Sequence, residues 1–377
     1  MTDTPDLIIV RQTFTPFGGA ERFVARALDS LSAQGTRVAV LARRWRGEVA
    51  YPVIECRPFS LGRTWRDAGF ARAACRLLEA YPDSLVQSHE RIACCDLYRA
   101  GDGVHREWLR QRARLRGRGD WLARVTPYHR YVLAAERRML ASPRLKRVIC
   151  NSRMVADELR EWYRVPDERL TVIHSGVDTE VFHPERVAGQ RDALRERLGF
   201  RDEEPMLLFV GSGYERKGLD SLLRALRRVP ANMRLVVVGR DSQQRRWQRW
   251  AQRLGIASRV HFAGPRDDVT PWYAAADVFV LPTLYDPFPN VVLEAMACGL
   301  AVITSTKSGA RDIIRQGENG YLCDALDIPV LRAHIETLGD AACRRRIGRA
   351  ARETVAPMTL SRMAESYRQL YTELLER

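Results

Sequence analysis

Along the chain, short runs of consecutive apolar residues alternate with longer stretches in which apolar positions recur every three or four residues. The first run, Asp6–Val10, leads through the loop RQTFTPFGG into Ala20–Gln34, where Phe23, Ala27, Leu28 and Leu31 mark one helical face. The runs Thr36–Ala42, Val53–Arg57, Leu85–Ser88, Asp96–Ala100, Arg147–Asn151 and Leu170–Ile173 predict further strands. Between them the spacing predicts helices near Arg66–Tyr81, Val125–Leu140 and Arg153–Tyr163, the last with Ser152 at its N-cap. Such alternation implies a parallel sheet covered by helices on both faces.

His174–Gln190 has no sustained periodicity and reads as a linker. The alternation then restarts with a strand at Met206–Val210, the glycine-bearing loop GSGYERKG and a helix over Leu219–Val229. Leu235–Val238, Val260–Phe262, Val278–Leu281 and Ala301–Thr304 supply more strands. The expected fold is α/β, with two Rossmann-like domains, 1–173 and 191–356, facing a central cleft and joined by the linker at 174–190. A last helix, Leu360–Glu376, follows Pro357 and can in this reading pack on either domain.

A length of 377 residues suits two domains, and 46% apolar with 28% charged residues excludes a disordered or fibrous chain. The richest apolar stretch, Val291–Thr304, contains Glu294 and falls short of the roughly 18 to 20 residues of a spanning helix. The N-terminal MTDTPDLIIVRQ lacks a basic leader, so a cytoplasmic protein is expected. Eight cysteines, at 56, 75, 94, 95, 150, 298, 323 and 343, form no C-x-x-C pair. They read as reduced, mostly buried thiols with no metal site.

The net charge is +15, and of 61 basic residues only Lys146, Lys217 and Lys307 are lysine. Distribution says more than the total. Residues 1–173 hold 31 basic and 20 acidic side chains, and His105–Arg147 alone holds 13 against three. That concentration predicts an anionic partner for the segment: phosphates, lipid headgroups or nucleic acid.

Three loops carry candidate chemistry. Gly18 and Gly19 stand where the first strand turns into the first helix, a place where backbone amides can approach an anion, although the pair also suits a plain tight turn. The loop Gly211–Gly218 lacks the Lys-Ser/Thr of a phosphate loop and the third glycine of a dinucleotide fingerprint. It offers Arg216 and Lys217 beside a helix start, suited either to a diphosphate or to a solvated turn. In DPFPNVVLE, Asp286 lies in a proline-rich loop and Glu294 follows eight positions later, one turn into a helix. Amides near Asn290–Val292 can take phosphate while the two acids accept sugar hydroxyls. Asp102 and His105 follow a predicted strand, the edge at which ligands of parallel sheets bind; an Asp-Gly surface turn is the alternative. His89-Glu90 and His174 are similarly placed but less pointed.

Taken together, FTPFGGAER, NSRMVADEL, VIHSGVD, FVGSGYERKGLDSLLRAL, VHFAGPRDDV, AAADVFVLPT and DPFPNVVLEAMACGLAVIT resemble the retaining, two-domain GT-B glycosyltransferases of family 4. Within that family the pattern is most similar to bacterial lipopolysaccharide core glycosyltransferases of the glucosyltransferase I class. The resemblance implies a nucleotide-sugar donor, UDP-linked, with no further cofactor and no metal. It sets the donor diphosphate against Gly18, Gly19, Arg216 and Lys217, the ribose on Glu294, and the sugar on Asp286 and the amides near Phe288, Asn290 and Val291. Asp102 takes the position beside the anomeric carbon. The family's E-x7-E is here D-x7-E, which leaves the sugar open. The implied acceptor is a phosphorylated, lipid-anchored oligosaccharide at the inner face of the cytoplasmic membrane. Trp108, Arg110, Arg112, Arg114, Arg116 and Trp121 then become candidates for contact with an anionic membrane or with the acceptor. A nucleotide-sugar epimerase of the same fold is the alternative. A basic nucleic-acid-binding protein is a further one, supported by charge alone and by no nucleic-acid module.

Overall fold

The structure is a computed structural model, and it describes residues 4–14, 35–45, 51–116, 126–201 and 203–376. The chain divides into two compact units, Met1–His174 with Leu360–Arg377, and Ser175–Thr359.

The first unit is built on a parallel sheet of β1 (Leu7–Phe14), β2 (Val38–Trp45), β3 (Val53–Glu55), β4 (Leu85–Ser88), β5 (Leu97–Arg99), β6 (Arg147–Cys150) and β7 (Leu170–Val172), in the order β3-β2-β1-β4-β5-β6-β7. Leu7–Val10 are at most 1% exposed, as strands covered on both faces require. Both β1 and β2 run further than their apolar segments predict. Their pairing continues past the core through Thr13↔Arg44 and Phe14↔Trp45, so polar residues extend the carboxyl edge as strand. Helices α1 (Gly62–Leu78), α2 (His105–Arg116), α3 (Pro127–Leu140) and α4 (Arg153–Tyr163) connect the strands. The Ser152 side chain accepts from the Val155 amide at 3.2 Å, the N-cap the sequence predicts.

The second unit carries α5 (Pro184–Ala188) and α6 (Arg191–Arg197), followed by a parallel sheet in the order β10-β9-β8-β11-β12-β13. Its strands are β8 (Met206–Val210), β9 (Arg234–Val238), β10 (Val260–Gly264), β11 (Val278–Leu281), β12 (Ala301–Ser305) and β13 (Tyr321–Cys323). Helices α7 (Leu219–Leu226), α8 (Gln244–Arg253), α9 (Thr270–Ala275), α10 (Asn290–Ala297), α11 (Ile328–Thr337) and α12 (Ala341–Val355) complete it. Leu219, Leu222, Leu223 and Leu226 of α7 are all 0% exposed, each contributing about 1.5–3 kcal/mol of burial. Of the segment expected as a linker, 174–190, all but His174 falls inside this unit, and it includes α5.

The chain then returns to the first unit as α13 (Leu360–Leu375). Met363, Tyr367, Leu370, Tyr371 and Leu374 bury one stripe of it against Leu7, Ile9, Val40 and Leu97. Two phenols anchor it: Arg99 Nε donates to the Tyr367 hydroxyl at 2.9 Å, and the Tyr371 hydroxyl donates to Gln87 Oε1 at 2.7 Å.

The expectation of uniformly reduced cysteines needs correction. Cys75 of α1 and Cys94 of the β4–β5 connection form a disulfide, their Cα atoms 5.7 Å apart. Packing of the helix against that connection brings together two residues whose spacing of 19 carries no local signature. Among the other six, Cys56, Cys95, Cys150, Cys298 and Cys323 are buried.

Candidate glycosyl-transfer site

In the second unit the candidate residues converge at the carboxyl edge of the sheet. The loop after β8 turns at Gly218, where φ is +80° and a Cβ would lie 1.9 Å from the Pro282 carbonyl oxygen. No other residue type fits that approach. It brings the backbone of Arg216 against the β11–α10 loop, where the Leu284 amide and the Thr283 hydroxyl both donate to the Arg216 carbonyl, at 2.8 and 3.0 Å. The two side chains then meet Asp286. Lys217 Nζ pairs directly with Asp286 Oδ2, and Arg216 Nη1 lies 3.5 Å from the same oxygen while donating to the Tyr285 carbonyl at 3.2 Å. Asp286 is 6% exposed, and its backbone is pinned by the Lys307 carbonyl and the Gly309 amide. The cations and the first acid of D-x7-E therefore form one cluster.

Phe288 is buried, while Asn290 and Val291 open α10 half-buried. Glu294 lies one turn further on, and the Tyr273 hydroxyl donates to its Oε2 at 2.8 Å. Burial, reinforced by the neighbouring Glu294 carboxylate, holds the Tyr273 phenol well above its ordinary pKa. The proton therefore stays on tyrosine and fixes the carboxylate's orientation. Sequence reasoning missed Tyr273: in YAAADVFVL it reads as one more core aromatic, with no signal for its carboxylate partner.

In the first unit Asp102 occupies the turn after β5, exposed, with Gly103 at φ 71° and its amide bonded to the Ala100 carbonyl at 3.1 Å. It lines a cavity with Gln12, Glu90 and Arg91. Arg91 is held by Glu136, which is 1% exposed and also accepts from the Tyr163 hydroxyl at 2.6 Å and the His105 amide at 3.3 Å. Glu136 was another residue invisible to sequence reasoning, since a lone acid on α3 looks solvated. His105 Nε2 lies 3.0 Å from His129 Nδ1, and burial, with Arg91 adding to it, pushes the His105 pKa down to about 3.

On α2, Trp108 and Arg112 are half-buried, and Arg110 and Arg114 are exposed. Arg110 pairs with Glu107 at 2.9 Å, Arg112 lies 3.2 Å from His129 Nε2, and Arg114 donates to Gln111 at 2.8 Å. Arg116 ends the helix. Gly18, Gly19 and Trp121 lie outside the described residues. Among the described residues no group of three or more His, Cys, Asp and Glu side chains is placed to hold a metal ion. No described helix is long and apolar enough to cross a membrane.

Two family models match the chain in tandem: "Glycosyltransferase Family 4" over residues 17–181 and "Glycosyl transferases group 1" over residues 204–340. The two matches together make the chain a glycosyltransferase. The lipopolysaccharide glucosyltransferase WaaG of Escherichia coli K12 is 28% identical over 314 residues, 81% of this chain and 82% of that protein. A D-inositol 3-phosphate glycosyltransferase of Xylanimonas cellulosilytica is 32% identical over 65% of this chain, which spans 60% of that relative's length. The crystal structure of WaaG superposes with a TM-score of 0.83 at 25% identity, covering 97% of this chain and 99% of that one. Anabaena HepE, solved with UDP-glucose, shares the fold at a TM-score of 0.68 and 20% identity, over 98% of this chain and 99% of that one. This glycosyltransferase thus has the GT-B architecture of two parallel-sheet units.

Proposed function

We propose that the protein is a retaining hexosyltransferase that moves a sugar from a nucleotide-sugar donor to a lipopolysaccharide core acceptor. The observation that carries the reading is the cluster of Arg216, Lys217 and Asp286 beside the opening of α10. Two cations and a helix N-terminus suit a departing nucleoside diphosphate, and fixed carboxylates suit hydroxyls on either side of it. Glu294, oriented by Tyr273, takes the ribose; Asp286 with the Phe288–Val291 segment takes the donor sugar. The similarity to WaaG supports the acceptor class, and UDP-glucose, the ligand of the HepE complex, is the first donor to test.

In this reading the bond from the anomeric carbon to the diphosphate oxygen breaks as the acceptor oxygen bonds the same face. The acceptor's hydroxyl proton passes to the departing phosphate, and Arg216 and Lys217 neutralise the charge that develops there. Asp102, in the first unit, is assigned to the acceptor. Helix α2, with Arg110 and Arg114 exposed one turn apart, docks the enzyme on the inner face of the cytoplasmic membrane, where a lipid-anchored phosphorylated acceptor is presented.

The test is release of nucleoside diphosphate from UDP-glucose, UDP-N-acetylglucosamine and ADP-heptose, with and without truncated lipopolysaccharide. Acceptor-dependent release, with the new linkage retaining the donor's configuration, is expected. An epimerised free sugar, or release indifferent to acceptor, would overturn the proposal. No observation favours nucleic acid as a partner.

A further inference from the structure

The carboxyl edge of the first sheet holds an open cavity of about 760 Å³ whose charge the donor chemistry does not explain. Six arginines line it: Arg11, Arg43, Arg44, Arg63, Arg66 and Arg91. Against them stand three acids, Asp67, Glu90 and Asp102. Burial, together with the Asp102 charge, raises the Glu90 pKa. The cavity lies where β1 and β4 are neighbours and the strand order reverses, the point at which open parallel sheets bind ligands.

The arginines come from four separate places: the ends of β1 and β2, the first turns of α1, and the loop after β4. Their convergence arises because β1 and β2 continue past the core, carrying Arg11, Arg43 and Arg44 out to the edge. Several are already oriented. Arg91 is braced by buried Glu136 at 3.1 Å, Arg63 lies over the Tyr128 ring at 4.1 Å, and Arg43 gives one donor to Ser60 at 2.7 Å. A guanidinium has five N–H donors in a planar fork that matches phosphate oxygens in pairs. Arg44 and Arg63 are exposed to whatever enters. A bare phosphate needs little of this space; the volume is that of a small-molecule site and accommodates the sugar that bears the phosphate.

We infer that this cavity receives a phosphorylated sugar of the acceptor, the phosphate seated on Arg43, Arg44 and Arg63 and the sugar hydroxyls on Gln12 and Asp102. The inference rests on the acceptor reading proposed above and names the group by which that acceptor is selected. A free phosphate ion carries the same chemistry, so the test separates the two sources.

Transfer kinetics of the full chain are measured with truncated lipopolysaccharide before and after enzymatic dephosphorylation. Dephosphorylation is expected to raise the acceptor KM at least tenfold with kcat changed less than twofold. In the double variant Arg44→Gln, Arg63→Gln the KM for intact acceptor rises to the same degree, the two acceptors become indistinguishable, and the KM for nucleotide sugar is unchanged. Inorganic phosphate should inhibit by competing with the acceptor alone. Equal KM values for the two acceptors in the unsubstituted enzyme overturn the inference. So does a loss of nucleotide affinity in the variant, which assigns the arginines to the donor, or stimulation by inorganic phosphate, which makes the cavity a regulatory anion site. If neither acceptor is turned over, the proposed function falls, and calorimetry with glucose 6-phosphate and glucose decides the site on its own. Binding of the phosphorylated sugar only, abolished in the variant, sustains it; equal or absent binding overturns it. Thermal melting confirms that the variant is folded, and Arg44→Gln alone serves where it is not.

Discussion

Arg216 and Lys217 are neighbours in sequence with unequal surroundings: the Lys217 side chain is 11% exposed and that of Arg216 40%. Lys217→Ala strands the carboxylate of Asp286, whose side chain is 9% exposed, and should cost about 3 kcal/mol in urea unfolding, the low end for a broken buried pair, because Arg216 remains 3.5 Å away. Arg216→Ala should change stability by no more than about 0.5 kcal/mol. It should nevertheless slow transfer more than about tenfold, by loss of a charge-assisted contact of roughly 1.5–3 kcal/mol. Equal stability losses would show that both side chains serve the same buried pair. The identity of these residues was legible in the sequence, because a lysine next to an arginine after a glycine loop is conspicuous in a chain with three lysines. Their pairing with Asp286 was not, since it depends on the Gly218 approach to Pro282. His105 gives a pH prediction. Its pKa is pushed down to about 3 in the folded chain, so below about 6.5 the unfolded chain takes up the proton more readily. Stability should therefore fall as pH drops from about 6.5 towards 3, by up to about 1.4 kcal/mol per pH unit for this group. His105→Gln should flatten that part of the pH profile of urea midpoints; His89 and His129, also lowered by burial, leave a residual slope.

Among the elements, α13 illustrates how few polar atoms anchor a helix. Tyr367→Phe removes the acceptor that buried Arg99 Nε uses, and Tyr371→Phe removes the donor to Gln87, which is 0% exposed. Each substitution should cost about 1–3 kcal/mol, read from the denaturant midpoint with an unchanged slope. Losses confined to a few tenths of a kcal/mol would mean that water replaces the phenols. Elements with strong periodicity were the readable ones. Met206–Val210, Val278–Leu281 and Arg153–Tyr163 match the structure end to end, since each is a complete apolar run or a capped amphipathic stretch. The ends of β1 and β2 were not readable, because Arg11–Thr13 and Arg43–Arg44 belong to the strands through backbone pairing while their side chains reach a polar cavity. The three-residue β13 was missed for a related reason: an edge strand that short, Tyr321–Cys323, has no alternation to show. The predicted helix at 20–34 lies outside the described residues.

At the scale of the molecule, the net charge of +15 divides into two kinds of arginine. Arg195 is 3% exposed, pairs with Asp277 at 3.1 Å and donates to the carbonyls of Ala275, Arg201 and Glu204; it is internal structure. Arg110 and Arg114 of α2 are exposed, and each well-placed basic residue at an anionic surface contributes about 1 kcal/mol, screened by salt. The protein should therefore sediment with anionic but not zwitterionic liposomes, less so at high salt and less so when Arg110, Arg112, Arg114 and Arg116 become glutamine. Equal sedimentation with both lipids would refute the docking of α2. The division of the chain into residues 1–174 with 360–377, and 175–359 between them, also sets the timetable of biosynthesis. Emerging from a ribosome, the first sheet must wait with Leu7, Ile9 and Val40 uncovered until α13, translated only after the whole second unit, arrives to close over them. The later-made unit has all its strands and helices in hand earlier, reversing the usual amino-to-carboxyl order of domain completion. A nascent chain arrested before Leu360 should thus bind chaperone through its first half while its second half already resists protease.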